Sequence, residues 1–332
     1  LNTTKIGKLL IFIAILIVAS AGWAGASERK DLCYAGQYYP EEFLLQGHPQ
    51  FWEKYGLKVE HILFSSGTEN NQALIAGKCQ INCGSDSKTA ELFSVLGDKV
   101  IIIGVIQKGD RYATVVRANS PYKTWQDLKG KTVATRFGTG AEQVLRRYFD
   151  KEKDLAWEDF KWVNMKIEDM IAALKSGMVE AFTGWEPICA IAEAQGAGRV
   201  LRTYGDVSRV PVALHTTVEF ASRNRPAVVK FLAAHLDKAD MIRTNPKRAA
   251  EIAAQAAGAK GYNVSADAFE RVFKRIDFSL DMDEKLIAEI QDTARFLYQE
   301  KKIDKVPVIR YDASFLREAK ALRESQRKKQ GK

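Results

Sequence analysis

Apolar and polar positions along the chain fall into a short pattern that repeats. Residues 31–36 (DLCYAG) read as a strand, followed by the loop Gly36-Gln37-Tyr38-Tyr39-Pro40. A helix runs through Phe51-Trp52-Glu53-Lys54-Tyr55 and stops at Gly56, where a left-handed C-terminal residue is needed. Residues 57–64 alternate as a strand. Ser65-Ser66-Gly67-Thr68 then opens a helix that carries Glu69 in its first turn and stops at Gly77. Residues 79–83 make a third strand, and Gly84-Ser85-Asp86-Ser87 starts another helix. Strand, loop and helix in this order predict a parallel sheet with crossover helices.

The plan returns from about residue 131. Strands are predicted over 131–135, 160–164 and 179–183, with helices over 141–149 and 168–176 and a helix start at Gly184-Trp185-Glu186-Pro187. At an offset of 100 residues, Ala73, Leu74, Gly77, Gly84 and Ala90 meet Ala173, Leu174, Gly177, Gly184 and Ala190, and Asp86 meets Glu186. A duplicated α/β unit of this length predicts two similar lobes. Ligands of such sheets sit beyond the carboxyl ends of the strands, so both sets of loops should line one cleft. The remainder is helical: Asn224 caps a helix with Pro226 in its first turn, and helical spacing fits 246–257, 265–275, 283–299 and 312–324.

The first 26 residues stand apart. Lys5 and Lys8 precede an apolar run from Leu9 to Val18, and Ala24-Gly25-Ala26 has the A-x-A form of an export cleavage site, which predicts a mature start near Ser27. An uncleaved anchor helix is the other reading of this stretch. The junction carries no cysteine for lipid attachment, which points to a free periplasmic protein. The net charge of +9 is carried mainly by the two ends, Lys5 and Lys8 at one and seven Lys/Arg against two Glu in 317–332 at the other. The body between is close to neutral, so a nucleic-acid partner is not expected.

The four cysteines are Cys33, Cys79, Cys83 and Cys189. Placed in one strand, Cys79 and Cys83 lie about 13 Å apart, beyond disulfide reach, whereas Cys33 and Cys83 can face each other if their strands are neighbours. The four histidines (His48, His61, His215, His235) lack paired metal spacing, and no G-x-S-x-G motif occurs. The run Gly138-Thr139-Gly140-Ala141-Glu142 lacks the third glycine of a dinucleotide fingerprint. Neither metal, cofactor nor catalytic constellation is expected.

Several segments in order carry a family resemblance: FWEKYGL at 51–57, SGTE at 66–69, ALIAGKCQI at 73–81, GSDS at 84–87, YATVVRANSPYKTWQDLKGKTVA at 112–134, GTGAE at 138–142 and GWEP at 184–187. The chain resembles the substrate-binding proteins of the nitrate/sulfonate/taurine class of ABC importers, a family that includes thiamine-precursor binders. The likeness runs from about Leu32 to Phe315. It implies a type II periplasmic-binding fold with lobe I over 27–116 and 211–332, lobe II over 117–210, and hinge crossings near 115–117 and 207–213. It also implies a monomer that closes on a small anion and delivers it to an inner-membrane permease. Biosynthetic enzymes of the menaquinone and thiamine-pyrimidine routes resemble the same fold, and an extracytoplasmic sensor would share the sequence features.

The candidate ligand residues follow from the loops. Gly138, Thr139 and Gly140 open a helix whose free N–H groups and dipole suit an anion, and Arg136 can add a charged hydrogen bond. Ser66, Thr68 and Glu69 hold the matching position in the first lobe, with Ser85 and Asp86 in its third loop. Ordinary capping accounts for these residues equally well. Trp185 offers an apolar wall and Glu186 an acceptor. Tyr38 and Tyr39 are stacking or hydroxyl donors, and Tyr112 lies just before the expected hinge. The acidic loop residues suggest a ligand that carries an amine or other donors besides its anionic group.

Overall fold

The computed structural model describes residues 30–330, so the export segment 1–26 lies outside the described residues. Two mixed sheets form the frame. Strands β1 (Leu32–Gln37), β2 (Val59–Phe64), β3 (Ile81–Ser85), β4 (Val100–Gly109), β10 (Val212–Thr217) and β11 (Ile276–Asp277) build one, in the order β11-β4-β10-β3-β1-β2. Strands β5 (Tyr112–Arg117), β6 (Thr132–Thr135), β7 (Lys161–Asn164), β8 (Ala181–Trp185) and β9 (Gly198–Thr203) build the other, in the order β7-β6-β8-β5-β9. The parallel triplet β2-β1-β3 corresponds to β7-β6-β8, and each triplet is flanked by an antiparallel strand, β10 or β5, that has just arrived from the other sheet. The 100-residue repeat is therefore real in three dimensions: β3 and β8 start at Ile81 and Ala181.

Both third strands lie two residues later than the sequence pattern places them. In each repeat the residues before the strand are tied back to the preceding helix, Cys79 N–H to Ala73 O at 3.1 Å and Val179 N–H to Ala173 O at 3.4 Å. Cys79 thus lies outside β3 and forms a disulfide with Cys33 of β1, while Cys83 and Cys189 are free and buried. This replaces the Cys33–Cys83 pairing considered from the sequence.

The chain passes between the sheets twice. Tyr112–Arg117 pairs with β8 and β9, so the first crossing is Asp110-Arg111 rather than 115–117. The second spans 204–211. Gly109 N–H donates to Arg209 O at 2.7 Å, Gly205 N–H to the Asp110 carboxylate at 2.8 Å, and the Arg111 guanidinium to Val210 O at 2.8 Å. Val210 has φ +37°, a conformation that a β-branched residue adopts only under constraint. The two crossings thus form one hydrogen-bonded strap.

Candidate functional site

Loops at the carboxyl ends of β1, β3, β6 and β8 converge on this strap. At its centre is Arg111, which the sequence reading passed over because it placed the crossing several residues later. Its guanidinium carbon lies 5.8 Å from the ring centre of Tyr39, in the first loop, and 5.5 Å from that of Tyr112, in β5. All three side chains are buried. Burial pushes the Tyr112 hydroxyl up to about 12, against the pull of Arg111, and pushes the Tyr39 hydroxyl further. Both phenols therefore stay neutral donors at physiological pH. Tyr39 donates to Gln37 Oε1 at 3.0 Å. A Cβ on Gly140 would come within 2.3 Å of the Tyr112 hydroxyl, so glycine is required there for the helix Gly140–Phe149 to start against that tyrosine.

Tyr38 is exposed; it stacks on Phe43 with ring centres 5.7 Å apart and lies tilted against Tyr262 at 5.8 Å. Arg136, Trp185 and residues 166–169 line a recess of about 610 Å³. Burial pushes the Tyr262 hydroxyl up, and the charge of Glu168, which lines that recess, adds to the shift. Trp185 meets Tyr112 edge to face at 6.5 Å. Arg136 has a long contact of 3.5 Å to Asn164 Oδ1. Tyr39, Tyr112, Gly140 and Trp185 are therefore linked by contact to Arg111 on the strap, whereas Arg136 joins them only through the recess it lines with Trp185, and Tyr38 packs on Phe43 and Tyr262.

The acidic candidates do not join them as free groups. Glu69 closes a capping box: its carboxylate accepts from Ser66 N–H at 3.0 Å and Ser65 Oγ at 2.8 Å, while Ser66 Oγ accepts from Glu69 N–H at 3.3 Å. The Ser65 hydroxyl and these N–H donors hold the Glu69 carboxyl below its ordinary range. Thr68 is exposed beside it. In the second lobe Glu142 does the same for the glycine loop, accepting from Gly138 N–H at 2.8 Å, while Thr139 Oγ1 caps Ala141 N–H at 3.3 Å. Each of these two helix starts is thus served by its own carboxylate, whereas the sequence pattern offers Glu69 as a first-turn residue and ligand candidate and Glu142 only as the end of the glycine loop. Ser85 and Ser87 hydroxyls lie 3.0 Å apart. The buried Asp86 accepts from Ser87 N–H at 2.8 Å and Thr293 Oγ1 at 2.7 Å. Glu186 accepts from Ala190 N–H at 2.9 Å and is ion-paired with Arg275, which also reaches Glu193 across the lobes. Glu69, Asp86 and Glu186 are thus all engaged by protein donors.

Two buried polar atoms near the second-lobe loop, Thr135 Oγ1 at the end of β6 and Gln143 Nε2 in the first turns of the following helix, have no hydrogen-bond partner. Such atoms are costly when buried and unpaired. Among the described residues no cluster of three or more His, Cys, Asp or Glu is arranged to hold a metal.

A family profile described as NMT1/THI5 like matches residues 44–249. A relative from Escherichia coli strain K12, named as an aliphatic sulfonates-binding protein, is 28% identical over 198 residues, covering 59% of this chain and 60% of its own length. The chain thus spans about three fifths of the length of the curated relatives it matches first. Among solved structures, the periplasmic aliphatic sulphonate binding protein SsuA of Escherichia coli superposes with a TM-score of 0.70 at 22% identity, covering 84% of this chain and 90% of that one. The desulfurization enzyme DSZB superposes with a TM-score of 0.63 at 15% identity, covering 88% and 99%. These likenesses establish the fold as the two-lobed type II periplasmic-binding architecture that the sequence implied. With the profile covering well over half of its residues, the chain belongs to the NMT1/THI5-like family.

Proposed function

We propose that this protein is a solute receptor that closes its two lobes on a small anion and hands it to an ABC importer in the membrane. The observation that carries the reading is Arg111, a buried guanidinium on the strap between the sheets, flanked by a neutral tyrosine from each lobe. A cation held this way is desolvated in advance and offers directional donors to a sulfonate, nitrate or carboxylate group. Tyr38, Tyr262 and Trp185 supply apolar surface for an organic substituent, as the names of the sulfonate-binding relatives suggest. On this reading the protein works in the periplasm, with residues 1–26 removed on export. The lobe boundaries that fit the sheets are 30–110 with 211–330 for the first lobe and 111–210 for the second.

Turnover is the competing reading, since an enzyme shares the fold. The free thiols of Cys83 and Cys189 are buried and burial pushes both well up, so neither is a ready thiolate. The test is a thermal-shift screen of the purified protein against alkanesulfonates, nitrate, aromatic carboxylates and thiamine precursors. An anion at 100 times its Kd is expected to add about 2.7 kcal/mol of stability, and Arg111→Met to abolish the shift. No shift from any anion would overturn the anion reading; chemical conversion of an added compound would overturn the receptor reading.

A further inference from the structure

The helix Pro40–Gly47 begins directly behind Tyr39 and carries two adjacent carboxylates, Glu41 and Glu42, both fully buried. Glu42 is served by the Tyr34 hydroxyl at 2.9 Å and lies 2.9 Å from His61 Nε2. Glu41 has no such ion pair among the described residues. Its Oε1 accepts from Gln107 Nε2 at 2.5 Å, and its Oε2, like that of Glu42, has no hydrogen-bond partner. The Gln107 carbonyl in turn accepts from Arg111 Nε at 2.6 Å, and Arg111 donates to Val210 O. A continuous buried chain thus runs from the Glu41 carboxylate through Gln107 to the cation of the candidate site and on to the second crossing.

The surroundings of Glu41 contain few charges. Its own helix offers Glu42. The helix Arg225–Thr244 offers Lys238, whose Nζ lies 3.0 Å from His235 Nδ1, both fully buried. Strands β1, β2 and β3 offer Tyr34, His61 and Cys83, and the strap offers Arg111 with Tyr39 beside it and Asp86 acting on it. The helices Pro246–Gly258 and Ala266–Arg275, packed on the same element, bury only Ala, Ile, Val and Phe. Burial pushes the Glu41 carboxyl up to about 7; Lys238 pulls it down and Glu42 pushes it up.

We propose that Glu41 is a positioning residue that acts through Gln107 to orient Arg111, and that it takes up a proton from solvent when an anion occupies the cleft. The proposal rests on the anion reading above. An ionised Glu41 and a bound anion compete for the same guanidinium. Protonating Glu41 removes the competition while its carbonyl oxygen still accepts from Gln107, so Arg111 keeps its orientation. Affinity is therefore linked to pH by at most one proton. Kd is flat below about 7 and rises by at most tenfold per unit above it, until the pKa of the occupied state is passed.

The test is calorimetric titration of the whole protein with ethanesulfonate, which does not itself titrate in this range, in paired buffers of different ionisation enthalpy between pH 6.5 and 8.5. Proton uptake is expected in the wild type and in Glu42→Gln. Glu41→Gln should bind with no uptake and keep its affinity at pH 8.5, whereas Glu41→Ala should bind weakly at every pH. Uptake undiminished in Glu41→Gln overturns the proposal, as does an absence of uptake in the wild type. If ethanesulfonate gives no binding heat, the anion reading is in question, but the coupling is still judged without ligand. The pH dependence of the denaturation midpoint between pH 5 and 8.5 must shift upward in Arg111→Met and flatten in Glu41→Gln; an unchanged profile in both overturns it.

Discussion

The two lobes repeat one plan of strands and helices, yet their interiors differ in kind. The second lobe is filled by aromatic rings: Trp125 lies 5.0 Å from Phe149 and 4.9 Å from Phe160, and Trp157 stacks on Trp162 at 3.9 Å. Its cluster of buried hydrophobic residues includes Val133, Val144 and Leu145. The first lobe has a larger apolar core but buries Glu41, Glu42, Lys238 and His235 within it. Buried charges cost stability unless paired, and an aromatic cluster has no such cost. Glu186 of the second lobe is buried too, but it is paired with Arg275 of the first lobe and lies outside the aromatic cluster; the comparison teaches that the aromatic cluster should be indifferent to pH, while the first lobe should respond to charge beside the strap.

The sharpest way to break this comparison is one substitution in each lobe. Trp125→Ala should cost about 3–5 kcal/mol through the cavity it leaves, with little dependence on pH. Lys238→Met should cost about 1–3 kcal/mol, because it leaves His235 Nδ1 without its buried partner and removes a cation that offsets the charge of Glu41 and Glu42. Its pH dependence has a definite sign. The folded carboxyl of Glu41 lies above its unfolded value, so its contribution is fully present below the unfolded range and is lost as pH rises through about 7. Removing Lys238 removes a group that holds Glu41 down, so the loss should be larger at pH 8 than at pH 6. Denaturant titrations at both values decide it, and equal losses for Lys238→Met would contradict a responsive first lobe.

The first lobe also carries a covalent tie that the second lacks among the described residues, between Cys33 in β1 and Cys79 ahead of β3. Cys33→Ser should cost about 2–4 kcal/mol, and dithiothreitol should lower the wild-type midpoint to nearly that of the variant. A wild-type midpoint indifferent to reductant would show that the tie is not formed in the mature protein.

How much of this was legible differs by physical cause. The glycines that end helices, Gly56, Gly77 and Gly177, were readable because a positive φ all but selects the residue, and all three have it. The serine, threonine and glycine loops were readable as helix starts for the same local reason. Strands β4 and β10 were not identified: β4 is buried almost throughout, so its run Val100–Gly109 shows no alternation that would mark a strand. With them the strap and Arg111 went unseen, since a crossing is defined by which sheet a strand joins. The burial of Glu41 and Glu42 was illegible for a sharper reason, as adjacent carboxylates in a first helical turn read as a solvated face.

The finest test concerns the two helix starts that the repeat places in matching positions. Glu69→Gln and Glu142→Gln each remove a carboxylate that accepts loop N–H groups, and each should cost about 0.5–1 kcal/mol. The depressed carboxyl of Glu69 contributes stability that is present above its unfolded range and lost as pH falls through the folded value, so its deficit should vanish in acid. The ligand effect should separate the two lobes. Glu142 sits over the Gly138 N–H, in the loop that meets Tyr112 at Gly140, so removing its charge should strengthen anion binding about two- to fivefold, as expected for one partly screened like charge. Glu69 is exposed and turned to Ser65 and Ser66, so Glu69→Gln should leave affinity unchanged. If both variants changed affinity equally, the two loops would contribute alike to the cleft, and the strap with the second-lobe loop could no longer be regarded as the anion's main contact.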